Sequence, residues 1–109
     1  MQKEFTTLLQ ELERLLIKGG CSDLANRISS ALLEGEESTW EFICSNGMWG
    51  GAGSIADQAI FEKASDKMAF YQVMQKIGHL QIASGRINER TELWVEIFGG
   101  FEHGAASNK

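Results

Sequence analysis

The sequence predicts an all-α fold, a single-domain bundle of about five to six short helices, and three observations carry that expectation. None of the 109 residues is proline, so the strongest helix breaker is missing. Apolar residues recur at three-and-four spacing along most of the chain, which is the period of one helical face. The connections are short and rich in glycine, which favours neighbouring antiparallel helices packed as a small bundle. With 43% hydrophobic and 23% charged residues, the chain has an ordinary globular composition and enough length to bury one core. A single domain is expected over residues 1–102, with a frayed tail over 103–109.

The elements follow in order. Phe5, Leu8, Leu9, Leu12, Leu15 and Leu16 make one apolar face, with Glu4, Glu11, Glu13 and Arg14 opposite, and Gly19-Gly20 stops the helix. Ser22-Asp23 reads as the cap of a second helix that buries Leu24, Ile28 and Leu32 and stops at Gly35. A third, short helix is expected from Ser38, because Ser38 and Glu41 have capping-box spacing; it carries Trp40, Phe42 and Ile43 and ends at Asn46-Gly47. Ser54 and Asp57 repeat that spacing ahead of a fourth helix, about Ser54 to Glu62. Ser65-Asp66 caps the longest helix, whose stripe is Phe70, Val73, Ile77 and Leu80, broadened by Tyr71 and Met74, and Gly85 ends it. A last helix opens near Asn88, carries Leu93, Trp94, Ile97 and Phe98, and closes at Gly99-Gly100.

Charge narrows the partners. Fifteen acidic against ten basic residues give a net charge of −5, with a pI near 5.0. That balance repels nucleic acid and anionic lipid and favours a basic protein surface. The opening segment MQKEFTTLLQELERLL carries polar and acidic groups every few positions, so it reads neither as a signal-peptide core nor as a membrane span, and a cytoplasmic location is expected. Cys21 and Cys44 lack both zinc spacing and the density of a disulfide scaffold, so free thiols are expected.

Four motifs bear on chemistry. The Gly51-Ala52-Gly53-Ser54-Ile55-Ala56 run has the letters of a dinucleotide fingerprint, but no strand precedes it and no βαβ alternation surrounds it. No Gly-Lys-Ser/Thr follows the glycines either. What survives is an anion-holding set of amides at the Ser54 helix start, set against a purely structural turn in which Gly50, Gly51 and Gly53 allow close backbone approach while Ser54 and Asp57 cap it. His79 and His103 stand apart from any second histidine or cysteine at metal spacing, and no nucleophile elbow or zincin pair occurs, so no metal, cofactor or catalytic set is expected. Glu34, Glu36, Glu37 and Glu41 cluster around one helix junction and read either as a solvated corner or as a docking patch for a basic partner. Trp40 and Trp94 are expected in the core, whereas Trp49, flanked by glycines, is expected near the surface as an interface anchor.

Gly35, Trp49, Gly50, Gly51, Gly53, Ser54 and Asp57, with the apolar spacing of Leu32 and Phe42, resemble the centre of a family of small bacterial helical domains of unknown function. The likeness covers roughly residues 8–62 and is weaker beyond. It implies a cytoplasmic helical protein and brings no established active site. Small acidic members of that kind are similar in style to immunity proteins of contact-dependent growth inhibition, which is an analogy of size, charge and build. The expected function is therefore toxin neutralisation: binding a basic toxin domain, a nuclease foremost, through Glu34, Glu36, Glu37 and Glu41 with Trp49 as anchor. The alternatives are a small-ligand-binding or regulatory domain using the Gly50–Asp57 turn, and a homodimeric scaffold.

Overall fold

A computed structural model describes residues 2–58 and 61–107, with the backbone alone at 58 and 101–107. Among the described residues there are seven helices and no strand: α1 (Lys3–Lys18), α2 (Ser22–Glu34), α3 (Glu36–Ile43), α4 (Asn46–Trp49), α5 (Ile55–Gln58), α6 (Ala64–Ser84) and α7 (Thr91–Ser107). The chain is an all-α bundle. It exceeds the expected helix number because Asn46-Gly47, expected as a stop, opens one further helical turn.

In α1 the spacing works as read: Phe5, Leu9, Leu12, Leu15 and Leu16 are buried. The helix closes in a Schellman arrangement, the Cys21 amide donating to the Leu16 carbonyl at 2.7 Å and the Gly20 amide to Ile17 at 3.1 Å. The α6 terminus repeats it, with Arg86 N–H bonded to Gln81 O and Gly85 N–H to Ile82 O, both at 3.2 Å.

Between α2 and α3 the chain turns on one residue. Gly35 sits at φ 122° and ψ −176°, a backbone region closed to residues with a Cβ. The helix α3 therefore begins at Glu36, two residues before the expected Ser38 cap, and the Ser38–Glu41 capping box does not form. Thr39 holds the corner instead. Its buried hydroxyl lies 2.7 Å from the Gly35 carbonyl and 3.0 Å from that of Ala31.

The long helix α6 packs between α1 and α7 and buries Phe70, Val73, Met74, Ile77, Gly78 and Gln81. Leu80, expected on that stripe, is only half-buried. Close approach to α7 depends on Gly78: a Cβ there would lie 2.1 Å from Val95 Cγ2 and 3.4 Å from the Trp49 ring. Phe98 of α7 meets Phe70 edge-on at 5.8 Å and stacks between Tyr71 and Trp94, at 5.5 and 5.3 Å. The expected stop at Gly99-Gly100 is overridden, and α7 continues through Ser107, so the tail expected to be frayed starts inside a helix. Glycine lowers helix propensity without forbidding the conformation. The expected fourth helix is described only from Ile55 to Gln58; residues 59 and 60 of it lie outside the described residues.

Candidate functional site

The four glutamates lie close in sequence and point to different places. Successive helical residues are rotated by about 100°, so a run of acids wraps around a helix rather than covering one face. Glu34 at the end of α2 and Glu41 on α3 line one open groove of about 590 Å³, together with Arg27, Ser30, Ser38 and Phe42. Glu36 borders a separate hollow beside α1, with Thr6, Gln10 and Thr39. Glu37 reaches in a third direction and pairs with Arg86 at 3.1 Å. That guanidinium lies 4.3 Å above the ring centroid of the buried Trp40, so the exposed Glu37 and Arg86 cap the indole at the surface. The structure thus brings together Glu34 and Glu41 and separates Glu36 and Glu37 from them.

Trp49 is a correction. It is fully buried rather than near the surface, so it cannot serve as an interface anchor. The glycines beside it let the chain turn inward, and an interior hydrogen bond satisfies its polar edge: the indole Nε1–H donates to Gln81 Oε1 at 2.9 Å. Gln81, itself fully buried, spends its amide nitrogen on the carbonyls of Ile43 at 3.1 Å and Arg86 at 3.0 Å. Beside it Asn88 donates to the Cys44 carbonyl and to Asn46 Oδ1, both at 3.0 Å, and takes the Arg90 amide on its own side-chain oxygen at 2.9 Å. These bonds fasten the α3–α4 turn to the α6–α7 turn.

The same network contains Cys44, whose thiol approaches the Arg86 carbonyl at 3.4 Å. Burial pushes that thiol above its ordinary range, while the nearby Arg86 charge and the Gln81 amide act the other way. Cys21 and Cys44 are both free thiols. His79 is exposed on α6, and the side chain of His103 lies outside the described residues. Among the described residues no group of three or more His, Cys, Asp or Glu is placed to hold a metal ion, and no helix is long and apolar enough to cross a membrane.

Several polar groups of the glycine-rich turn are engaged internally. Ser54 Oγ accepts the Asp57 amide at 3.2 Å, forming one half of the expected cap, and the Gly53 carbonyl accepts Arg27 at 3.1 Å. Two glycines are dictated by geometry: Gly53 by its φ of 91°, and Gly50 because a Cβ there would lie 2.6 Å from the Asn46 carbonyl oxygen. Gly51 differs, since a Cβ would meet only Arg90 at 3.6 Å.

Sequence reasoning passed over Gln81, although a signal existed. Residues 70, 74, 77 and 81 continue one helical stripe, and a glutamine on an apolar stripe marks a buried hydrogen-bonding role. It also passed over Leu33, which is 87% exposed on α2.

No family model matches the chain, and no curated protein or solved structure matches it significantly.

Proposed function

We propose that this chain is an immunity-type protein that binds a basic toxin domain, a nuclease foremost, and blocks its active site or its access to substrate. One observation carries the reading: Glu34 and Glu41 are exposed on either side of a single open groove, and neither has an ion-pair partner among the described residues. Acids of this kind steer the approach of a basic partner, whose counter-charge offsets the cost of desolvating them. The net charge of −5 adds a long-range field of the same sign. The resemblance of the Gly35 to Asp57 region to small bacterial helical domains is consistent with the reading.

The test is a tagged pull-down from the native host, washed at low salt, followed by an activity assay on what is captured. One basic protein should be recovered in stoichiometric amount and released by raised salt. Its nuclease activity should fall to background at one equivalent of this chain. Recovery of no such protein, or of one whose activity is unaffected, overturns the reading. Sizing in solution then decides whether self-association replaces it.

A further inference from the structure

We infer that the α2–α3 groove is the docking surface itself, and that its occupant is a basic amphipathic segment of a partner protein that lays lysine or arginine stems along the groove and an apolar side chain on Leu33. This rests on the partner-binding reading and specifies its surface. The floor is partly apolar: Ala31, buried, and Phe42, half-buried, lie between the two helices beside Ser30 and Ser38. A Lys or Arg stem covers such a floor while its head reaches the rim, where Glu34 and Glu41 wait.

Leu33 supplies the second observation. A single exposed leucine is ordinary on a protein surface. Its position is what matters: on α2, residues 26, 30 and 33 fall within about 60° of one another around the helix axis, so Leu33 stands on the ridge between the groove, walled there by Asn26 and Ser30, and a second hollow toward α1 that it lines with Gln10 and Glu13. At 87% exposure it has no use in this fold's core. An apolar knob beside an acid-rimmed, partly apolar trough matches a segment that alternates apolar and cationic side chains. Arg27 also lines the groove; its guanidinium donates to the Gly53 carbonyl at 3.1 Å, which fixes its place and leaves its positive charge, so the groove's balance is one net negative charge. The remaining charges in the groove, Glu34 and Glu41, are both negative.

The direct test uses a defined probe, a synthetic helix-forming peptide with lysines at i and i+4 and leucines between them. It is titrated into the 15N-labelled chain at low salt. Amide shifts should concentrate in residues 26–42. Leu33→Asp should weaken binding about tenfold or more, and Glu34→Gln with Glu41→Gln about fivefold, the latter loss vanishing at high salt. Glu92→Gln with Glu96→Gln on α7 should leave affinity unchanged. Shifts scattered over the acidic surface, absent binding, or equal losses in the α7 pair would overturn the inference. Leu33→Asp must also remain fully folded, with a Tm only slightly lowered by a carboxylate in the last turn of α2, since that side chain is exposed. The two readings separate cleanly: a captured toxin that binds Leu33→Asp as tightly as wild type sinks the groove alone. Peptide binding at the groove with no toxin recovered sinks the toxin reading alone.

Discussion

Replacing Gln81 with methionine keeps nearly the same volume and removes every hydrogen bond the side chain makes. Trp49 Nε1–H is then left as a buried donor without a partner, because both residues are fully buried. The Ile43 carbonyl loses its donor at 3.1 Å, whereas the Arg86 carbonyl keeps the Cys44 thiol at 3.4 Å. An orphaned buried donor costs about 1–3 kcal/mol, and a deprived carbonyl adds roughly 1 more, so the loss should be about 2–4 kcal/mol. Against a total stability on the order of 5–15 kcal/mol, that is a large fraction. In urea, with a slope of roughly 1.5 kcal/mol/M, the midpoint should fall by about 1.3–2.7 M with the slope unchanged. A double-mutant cycle with Trp49→Phe isolates the cause. In the phenylalanine background Gln81→Met should cost about 1–2 kcal/mol less, because no indole N–H remains to be stranded. Strict additivity in that cycle, or a loss under about 0.5 kcal/mol for Gln81→Met alone, would refute the account of this network.

The remaining expectations concern the glycines and the buried thiol. Gly78→Ala drives a methyl group into Val95 Cγ2 and should lower stability by about 1–3 kcal/mol, with Val95→Ala recovering part of it in a thermal melt. Gly53→Ala should cost about 1–2 kcal/mol through its φ of 91°, while Gly51→Ala should leave the Tm unchanged or slightly raised; equal losses at both would contradict the turn geometry. For Cys44, burial raises the folded thiol above its ordinary value of 9.0. Its stabilising contribution is therefore complete below the unfolded pKa and lost as pH rises through the folded one, because the unfolded thiol ionises first. Wild type should lose stability above about pH 8.5 more steeply than Cys44→Ala, and parallel pH curves would remove burial as the cause.

What could be read from the sequence was local. The apolar face of α1, the Gly19-Gly20 stop and the α6 terminus at Gly85 each depend on residues within one or two turns, and all appear where the pattern places them. The Ser38 cap failed because Thr39 competes for the same corner with contacts back to Ala31 and Gly35, which only the α2–α3 fold creates. Trp49 was misplaced for a related reason. Flanking glycines signal a turn, but whether a turn faces inward depends on a partner 32 residues away. The acidic run was visible as composition, and its division among three directions follows from helical rotation combined with where α1 and Arg86 lie.

The seam between α1 and α6 bears on the order in which the molecule assembles. The Phe61 ring occupies the space a side chain on Gly19 would need, 2.6 Å from that Cβ position, and Lys18 pairs with Asp66 at 3.1 Å across the same junction. Helices α1 and α2 meet across a tight turn, but this seam joins positions 48 residues apart, and closing so long a loop costs roughly 3 kcal/mol of chain entropy before any contact repays it. The α1–α2 hairpin should therefore form early and the seam late. Loosening it with Phe61→Leu should speed unfolding in stopped-flow measurements and leave the refolding rate nearly unchanged. How long a folded molecule persists before opening is then governed at Gly19 and Phe61, away from the groove, so the lifetime of the fold and the affinity of its binding face can be altered independently.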